Sequence, residues 1–484
     1  MNKPLRRVAI FCGLLIFSLL IRDNWLQFVD GDSLKNDPHN RRVLINEYAK
    51  PRGDIIVGGK AVTGHKTTGD SDFQYERTYT DGAEWAPVTG FASQVYGTTL
   101  LEGVEDKILT GDDDRLFFNR TIDMLTGKQQ QGGDVVTTLN SKAQDAAFKG
   151  LGDKKGAVAA INPQTGAILA LASTPSYDPS TIADGSAKDS KAWSALQADK
   201  NQPMLNRALR QTYPPGSTFK IVTAAAALDN GLYSSIDEPT DSPLPYTLPG
   251  TTTTLNNEGP LPCHNATLKV ALEVSCNTVF GHMGAQLGQA KMLAQADKFG
   301  FNKSLDIPVR TVASNFSNGM NSSQVALSSI GQFNTAATPL QMAMVAGAVA
   351  NNGKLMTPYM VDQLRAPNLN VVQENSPKEL DQAMTPQTAQ KIQGMMEAVV
   401  SGGTGTMAQI PGVTVGGKTG TAQHGENNSG LPYAWFISYA KTAQGSPVAV
   451  AVVVEDGNAN REEISGGGLA APIAKSVMEA VLNK

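Results

Sequence analysis

The sequence predicts an α/β sandwich over residues 153–484, preceded by a smaller, irregular, strand-containing module and an N-terminal membrane helix. Three observations predict it. Near the start of the larger part, two apolar runs flank "NPQTG" (Asn162 to Gly166) in "GAVAAINPQTGAILALAS", a hairpin signal. Near its end, "VTVGGKTGTAQ", "YAWFISYAK" and "SPVAVAVVVED" read as further strands. Helical patterns fill the space between them. One sheet built from strands at both ends of the domain, with helices packed on it, buries all of these runs.

The chain opens on "MNKPLRR", with Lys3, Arg6 and Arg7, and continues with 14 apolar or small residues from Val8 to Ile21. A bilayer span needs roughly 20 residues. Counting on to Val29 supplies them, with Arg22 placed to snorkel and Trp25 suited to an interface. No A-x-A cleavage site follows Ile21, so an uncleaved anchor over 8–29 is expected rather than a signal peptide. The basic residues put a tail of residues 1–7 in the cytoplasm and the rest of the chain outside the membrane. Residues 30–152 are polar and turn-rich, as in "KPRGDIIVGGKAVTG" and "LTGDDD". They end on "DVVTTLNSKAQDAAFKGL", a strand entering a helix capped by Asn140 or Ser141. In the larger part, helices are expected from Ser217 to Leu228, along "ATLKVALEVSCNTVFGHMGAQLG" (266–288), over "TPLQMAMVAGAVANNG" and in the closing "LAAPIAKSVMEAVLNK".

At 484 residues, 41% hydrophobic and 17% charged, this is ordinary globular material of more than one domain. A net charge of -4 argues against a nucleic-acid surface. The histidines (His39, His65, His264, His282 and His424) are scattered and no CxxC occurs, so no metal is expected. Cys12 lies in the apolar run; Cys263 and Cys276 are the one pair outside it, free to bridge or to stay apart.

"YPPGSTFKIVTAAAA" (Tyr213 to Ala227) contains Ser217-x-x-Lys220. One reading is a helix cap beside a surface lysine. The other is a nucleophile with its base on the same helix face, near free backbone N–H groups. The chain supplies a control: Ser438-x-x-Lys441 matches too, but on a predicted strand, where positions three apart point to opposite faces. Two unique triplets favour the nucleophile. Ser275-Cys276-Asn277 is the single Ser-x-Asn, in a helical stretch that suits neither residue, and Lys418-Thr419-Gly420 is the single Lys-Thr-Gly, in a glycine-rich strand.

These three motifs in this order resemble those of penicillin-binding proteins and class A β-lactamases. The chain is identified as resembling the class B penicillin-binding proteins, membrane-anchored transpeptidases of cell-wall synthesis, most nearly the actinobacterial A type. "RGDI" (Arg52 to Ile55), "GAVAAINPQTGAILALASTPSYDP", "GQFNTAATPLQMA" (Gly331 to Ala343) and "AWF" (Ala434 to Phe436) extend the likeness from about residue 45 to the end. The resemblance implies a penicilloyl-serine transferase fold, with a central antiparallel sheet and an all-helical part behind a pedestal or dimerisation-like N-terminal domain. It implies Ser217 as nucleophile, Lys220 as base and Ser275 as proton relay, with no cofactor. Asn277 would hold the Lys220 amine and the substrate amide. Lys418, Thr419, Gly420 and Thr421 would receive the carboxylate of a D-Ala-D-Ala stem peptide or of a β-lactam. Cys276 departs from a plain Ser-Ser-Asn or Ser-Asp-Asn pattern, and a bridge to Cys263 would tie that motif down. Lys220 would have to lose roughly 3 from a pKa near ~10.4, about 4 kcal/mol, which burial and Lys418 can supply.

The rivals are weaker. A class A β-lactamase needs a deacylating glutamate, and none occurs from Val274 to Gln373; the class D type has Ser-x-Val. A D,D-carboxypeptidase uses the same acyl-enzyme and differs in its acceptor. A sensor needs more chain before the span, a scaffold need not keep all three motifs, and a bifunctional class A protein needs a glycosyltransferase domain before Gly156. The expected partners are therefore a membrane glycosyltransferase and proteins of division or elongation.

Overall fold

The computed structural model describes residues 3–35, 40–425, 428–456 and 464–483; Met1, Asn2, His39 and Lys484 from the expectations above lie outside it. Helix α1 (Lys3–Phe28) is continuous over 26 residues, buries none of them, and is long and apolar enough to cross a membrane. It starts five residues before the expected span and runs through Arg22 and Asp23. After α2 (Arg41–Tyr48) the chain enters the N-terminal module at β1 (Ile55–Val57), which turns into β2 (Lys60–Ala61). Later come α3 (Phe117–Thr126) and β3 (Asp134–Thr137), the latter parallel to β1 with Ile55 opposite Val135.

Asn140 caps α4 (Ser141–Leu151) by accepting from Ala143 N. β4 (Lys155–Ile161) and β5 (Ile168–Thr174) then form the expected hairpin, with Ala157 opposite Ser173. The helical part follows: α5 (Lys220–Asp229), α6 (Leu268–Glu273), α7 (Asn277–Lys298) and α8 (Pro339–Ala350). The chain next makes a hairpin of β6 (Val361–Arg365) and β7 (Val371–Glu374). It ends with α9 (Pro386–Ser401), β8 (Thr414–Ala422), β9 (Tyr433–Thr442), β10 (Gly445–Asp456) and α10 (Ala471–Leu482).

The main sheet has the order β8-β9-β10-β4-β5, all antiparallel. Strands from both ends of the domain therefore meet at β10 and β4, where Val450 faces Ala160. Alternation explains the two layers of helices. Ala157, Ala159, Ala451 and Val453 point into one core, beneath the helices from α5 to α9. Val158, Ala160, Val450 and Val452 point into a second core, filled by Ala143 and Ala147 of α4 and Val477 and Met478 of α10.

Two features depart from the sequence reading. The expected single helix over 266–288 is two helices, broken at Ser275, which has φ 64°. The hairpin β6–β7, deep inside residues 153–484, leaves its own part and completes the N-terminal sheet, whose order is β7-β6-β3-β1-β2. Contact along β3 and β6 thus crosses the boundary expected near residue 152. Inside that module, Glu102 is fully buried between Arg52 and Arg77, with contacts of 2.7 and 2.6 Å.

Candidate active site

The site lies at β8, the edge strand of the main sheet. Ser217 stands in a tight turn, Gly216–Phe219, that leads directly into α5. Aromatic packing holds this turn. Phe219 stacks on Phe316 with 5.5 Å between ring centroids and meets Phe301 edge-on. From the other side Trp435 Nε1 donates to Pro214 O at 3.0 Å. Gly331 comes so close that an added Cβ would lie 2.1 Å from Gly216 O, so the start of "GQFNTAATPLQMA" admits no side chain there. Neither capping position, Pro215 before the turn or Phe219 before α5, makes a side-chain cap bond. The cap reading of Ser217 therefore fails: it sits inside the turn, and its side chain borders a cavity of about 310 Å³.

One turn on, Lys220 is fully buried. Its Nζ donates to Asn277 Oδ1 at 2.7 Å, Ser275 O at 2.9 Å and Ser275 Oγ at 3.2 Å. The second motif can do this because the helix breaks there. Ser275 N bonds Leu272 O and Cys276 N bonds Ala271 O, a Schellman termination with Ser275 at the left-handed position glycine usually takes. Cys276 is joined to Cys263, which pins the break from outside the helix pair. Asn277 Nδ2 reaches across to Asn256 O at 3.1 Å, so the loop before Glu258 is clamped to the same corner.

Lys418 approaches from β8, also fully buried. Its Nζ donates to Ser275 Oγ at 2.9 Å and to Thr419 O at 2.9 Å. One hydroxyl therefore lies between two primary amines. Burial pushes Lys220 well below its ordinary pKa and the nearby Lys418 lowers it further, with Glu258 opposing. Burial likewise brings Lys418 down to about 7, again against Glu258. Among the described residues neither amine pairs with a carboxylate, so the pocket favours the neutral base. Thr419, Gly420 and Thr421 line the cavity with Ser217 and Ser275. At Gly420 a Cβ would lie 2.9 Å from Pro215 O, so only glycine lets the serine turn dock on the strand. Ser438 and Lys441 stay apart as expected: Ser438 Oγ is buried without a hydrogen-bond partner, while Lys441 bonds Gln393.

Sequence reasoning missed Glu258, Thr404 and Ser465 to Gly467, which share the cavity. Thr404 Oγ1 lies 2.6 Å from Thr419 Oγ1 and so orients the third motif. None of these sits in a recognisable pattern; Thr404, in "SGGTG", is marked only by flanking glycines. The arrangement suits acyl transfer, with a serine at a cavity, a depressed amine one turn away and a bridging hydroxyl for the proton.

Residues 156–479 match the family described as the penicillin binding protein transpeptidase domain, and residues 52–135 match the penicillin binding protein A dimerisation domain. The chain is 40% identical over its whole length to the peptidoglycan D,D-transpeptidase PbpA of Mycolicibacterium smegmatis, all of which it covers. It is equally identical to the protein of that name from Mycobacterium tuberculosis, covering 99% of it. Its structure superposes on that of penicillin-binding protein A from M. tuberculosis with a TM-score of 0.84 at 39% identity, over 90% of this chain and all of the other. The same score relates it to the penicillin G acyl-enzyme complex of that protein.

Proposed function

The chain belongs to the class B penicillin-binding proteins, and from that premise we propose a serine D,D-transpeptidase that cross-links peptidoglycan stem peptides through an acyl-enzyme on Ser217. The observation that carries this reading is the Lys220 amine, buried, with no carboxylate in ion-pair contact among the described residues, and gripped by Ser275 and Asn277 of the second motif. A buried lysine of this kind is unfavourable for folding and is characteristic of catalytic sites.

Lys220 takes the Ser217 proton as Oγ attacks the carbonyl of the penultimate D-Ala. The ester bond forms, the D-Ala–D-Ala amide breaks, and the proton passes through Ser275 Oγ to the departing nitrogen. Asn277 holds Lys220 and the substrate amide. Lys418, Thr419 and Thr421 receive the terminal carboxylate, and the N–H groups of Ser217 and Thr421 receive the oxyanion. An amine of a neighbouring stem then attacks the ester and returns Ser217 to its starting state. A β-lactam opens its ring on Ser217 by the first half of the same path. The Cys263–Cys276 bridge positions the Ser275 corner. A D,D-carboxypeptidase differs by using water as acceptor; full-length likeness to transpeptidases favours the amine.

α1 anchors the chain with its N-terminus in the cytoplasm and residues 30–484 outside, where a membrane glycosyltransferase and division or elongation proteins meet α1 and the N-terminal module. Fluorescent penicillin on the full chain tests the centre of this reading. A long-lived covalent band is expected on the unsubstituted protein and no band on a folded Ser217→Ala variant. A band that survives the substitution removes Ser217 from the mechanism. Supplying a stem pentapeptide with and without a D-amino acid then separates exchange from hydrolysis.

A further inference from the structure

α3 is turned inside out relative to an ordinary surface helix. Its polar residues Asn119, Arg120 and Asp123 are half-buried against the module, and Arg120 Nη1 donates to Gly111 O at 3.4 Å. Phe118, Ile122 and Leu125, spaced to form one stripe, face outward at 79%, 57% and 81% exposure. Phe117 and Met124 flank them, also exposed, and no residue of the helix is buried. A helix in water normally hides such a stripe, and a cluster of large apolar side chains on the outside marks a contact with something apolar.

Topology says where that contact lies. The chain arrives from α1 and enters β1 at Ile55. β3 is parallel to β1, so its first residue, Asp134, is at the same end of the sheet. β6 runs the opposite way and finishes with Arg365 opposite Asp134, which brings the β6–β7 turn to that end as well. The turn region also exposes apolar residues, Leu369 and Val371. An ion pair of 3.7 Å from Lys50 to Asp112, and a hydrogen bond from Arg115 to Gln373, tie the approach to α3 to the incoming chain and to β7. Between α1 and Ile55 lie 26 residues (29–54), eight of them in α2, so this end is where the module is tethered to whatever α1 crosses.

We propose that α3 and the β6–β7 turn insert into the outer face of the lipid bilayer, a second and peripheral membrane contact beside the anchor. Lipid is favoured over a second copy because the stripe lies at the tether end and is a convex helix face, which needs no shaped partner. Lys50 with Asp112 and Arg115 with Asp113 pair four of the adjacent charges, which lowers the cost of approaching the headgroups. Interfacial helices bury such a stripe roughly 5–10 Å into the headgroup boundary. The proposal rests on the reading of α1 as the membrane span.

The test uses the full chain in phosphatidylcholine nanodiscs, one chain per disc, with an environment-sensitive fluorophore on single cysteines and lipids carrying a nitroxide on the acyl chain. Cys12 is labelled in the natural sequence, since Cys263 and Cys276 are bridged. In a Cys12→Ser background the label goes on Leu125→Cys or, in the turn between β9 and β10, on Gln444→Cys. Expected are a blue shift and loss of fluorescence at Leu125→Cys, as at Cys12, and neither at Gln444→Cys. Quenching at Cys12 with water-like, unquenched emission at Leu125→Cys overturns the proposal and leaves the anchor standing. A blue shift at Leu125→Cys without quenching overturns it in favour of a protein contact. No quenching at Cys12 shows that the anchor reading itself fails, and this proposal with it.

Discussion

The proposed mechanism gives Lys418 two tasks that pull in opposite directions. Beside Ser275 it lowers the pKa of Lys220, and beside Thr419 and Thr421 it is placed to hold a carboxylate. The second task needs its charge, and burial brings its own pKa down to about 7. As pH rises through that value the free enzyme loses the cation that we propose receives the substrate carboxylate. Burial and the neighbouring Lys418 charge depress Lys220 well below its ordinary value, so it can act as the neutral base. The rate of acylation by penicillin should therefore be bell-shaped in pH, with its alkaline limb beginning near the Lys418 value. In Lys418→Arg the cation cannot be lost, and the alkaline limb should move up by more than ~2 pH units, whatever happens to the maximum rate. Stopped-flow acylation across pH checks this; a limb that stays in place assigns it to another group. Ser275 shows the same economy of means. It accepts from both amines, and it occupies a left-handed position where most residues are strained.

Elements meet at buried charge in the N-terminal module. Arg52 comes from the segment before β1 and Arg77 from the separate strand Tyr75–Tyr79, and they close on Glu102 with both Arg77 and Glu102 fully buried. Burial alone would raise the Glu102 pKa; Arg77 and then Arg52 reverse this and hold it below the ordinary value. A carboxylate with a depressed folded-state pKa stabilises the fold above its unfolded pKa of ~4.3, and that stability is lost as pH falls through the folded value. Glu102→Gln leaves two arginines facing a neutral amide and should cost about 3–5 kcal/mol. Chemical denaturation of the variant at neutral pH measures it. A loss below ~1 kcal/mol would mean that water reaches the arginines and the triad is not what closes the module.

At the scale of the molecule, the two parts are joined by strand pairing and not only by a linker. β6 pairs with β3, so the N-terminal sheet is incomplete without a hairpin from the larger part. Residues 153–484 expressed alone would present β6 as an open edge next to exposed Leu369 and Val371. That fragment should aggregate more strongly than residues 40–484, which carry the same apolar turn but keep β6 paired. Light scattering of the two, at matched concentration, decides it; equal behaviour would make the β3–β6 pairing incidental.

The sequence by itself determined the main sheet, because period-two apolar runs around "NPQTG" and in the last strands have one economical way to be buried. It also determined the composition of the site, since Ser217-x-x-Lys220, Ser275-x-Asn277 and Lys418-Thr419-Gly420 each occur once in a suitable setting. It misread Ser275 as mid-helix, because no Gly or Pro marks the break; the left-handed turn there is held by Cys263, Lys220 and Lys418, all distant in sequence. Glu258, Thr404 and the β3–β6 pairing were invisible for the same reason. Local patterns record which face of an element is apolar. Which lysine meets which hydroxyl, and which hairpin completes which sheet, depends on long-range packing, so only the tertiary structure decided them.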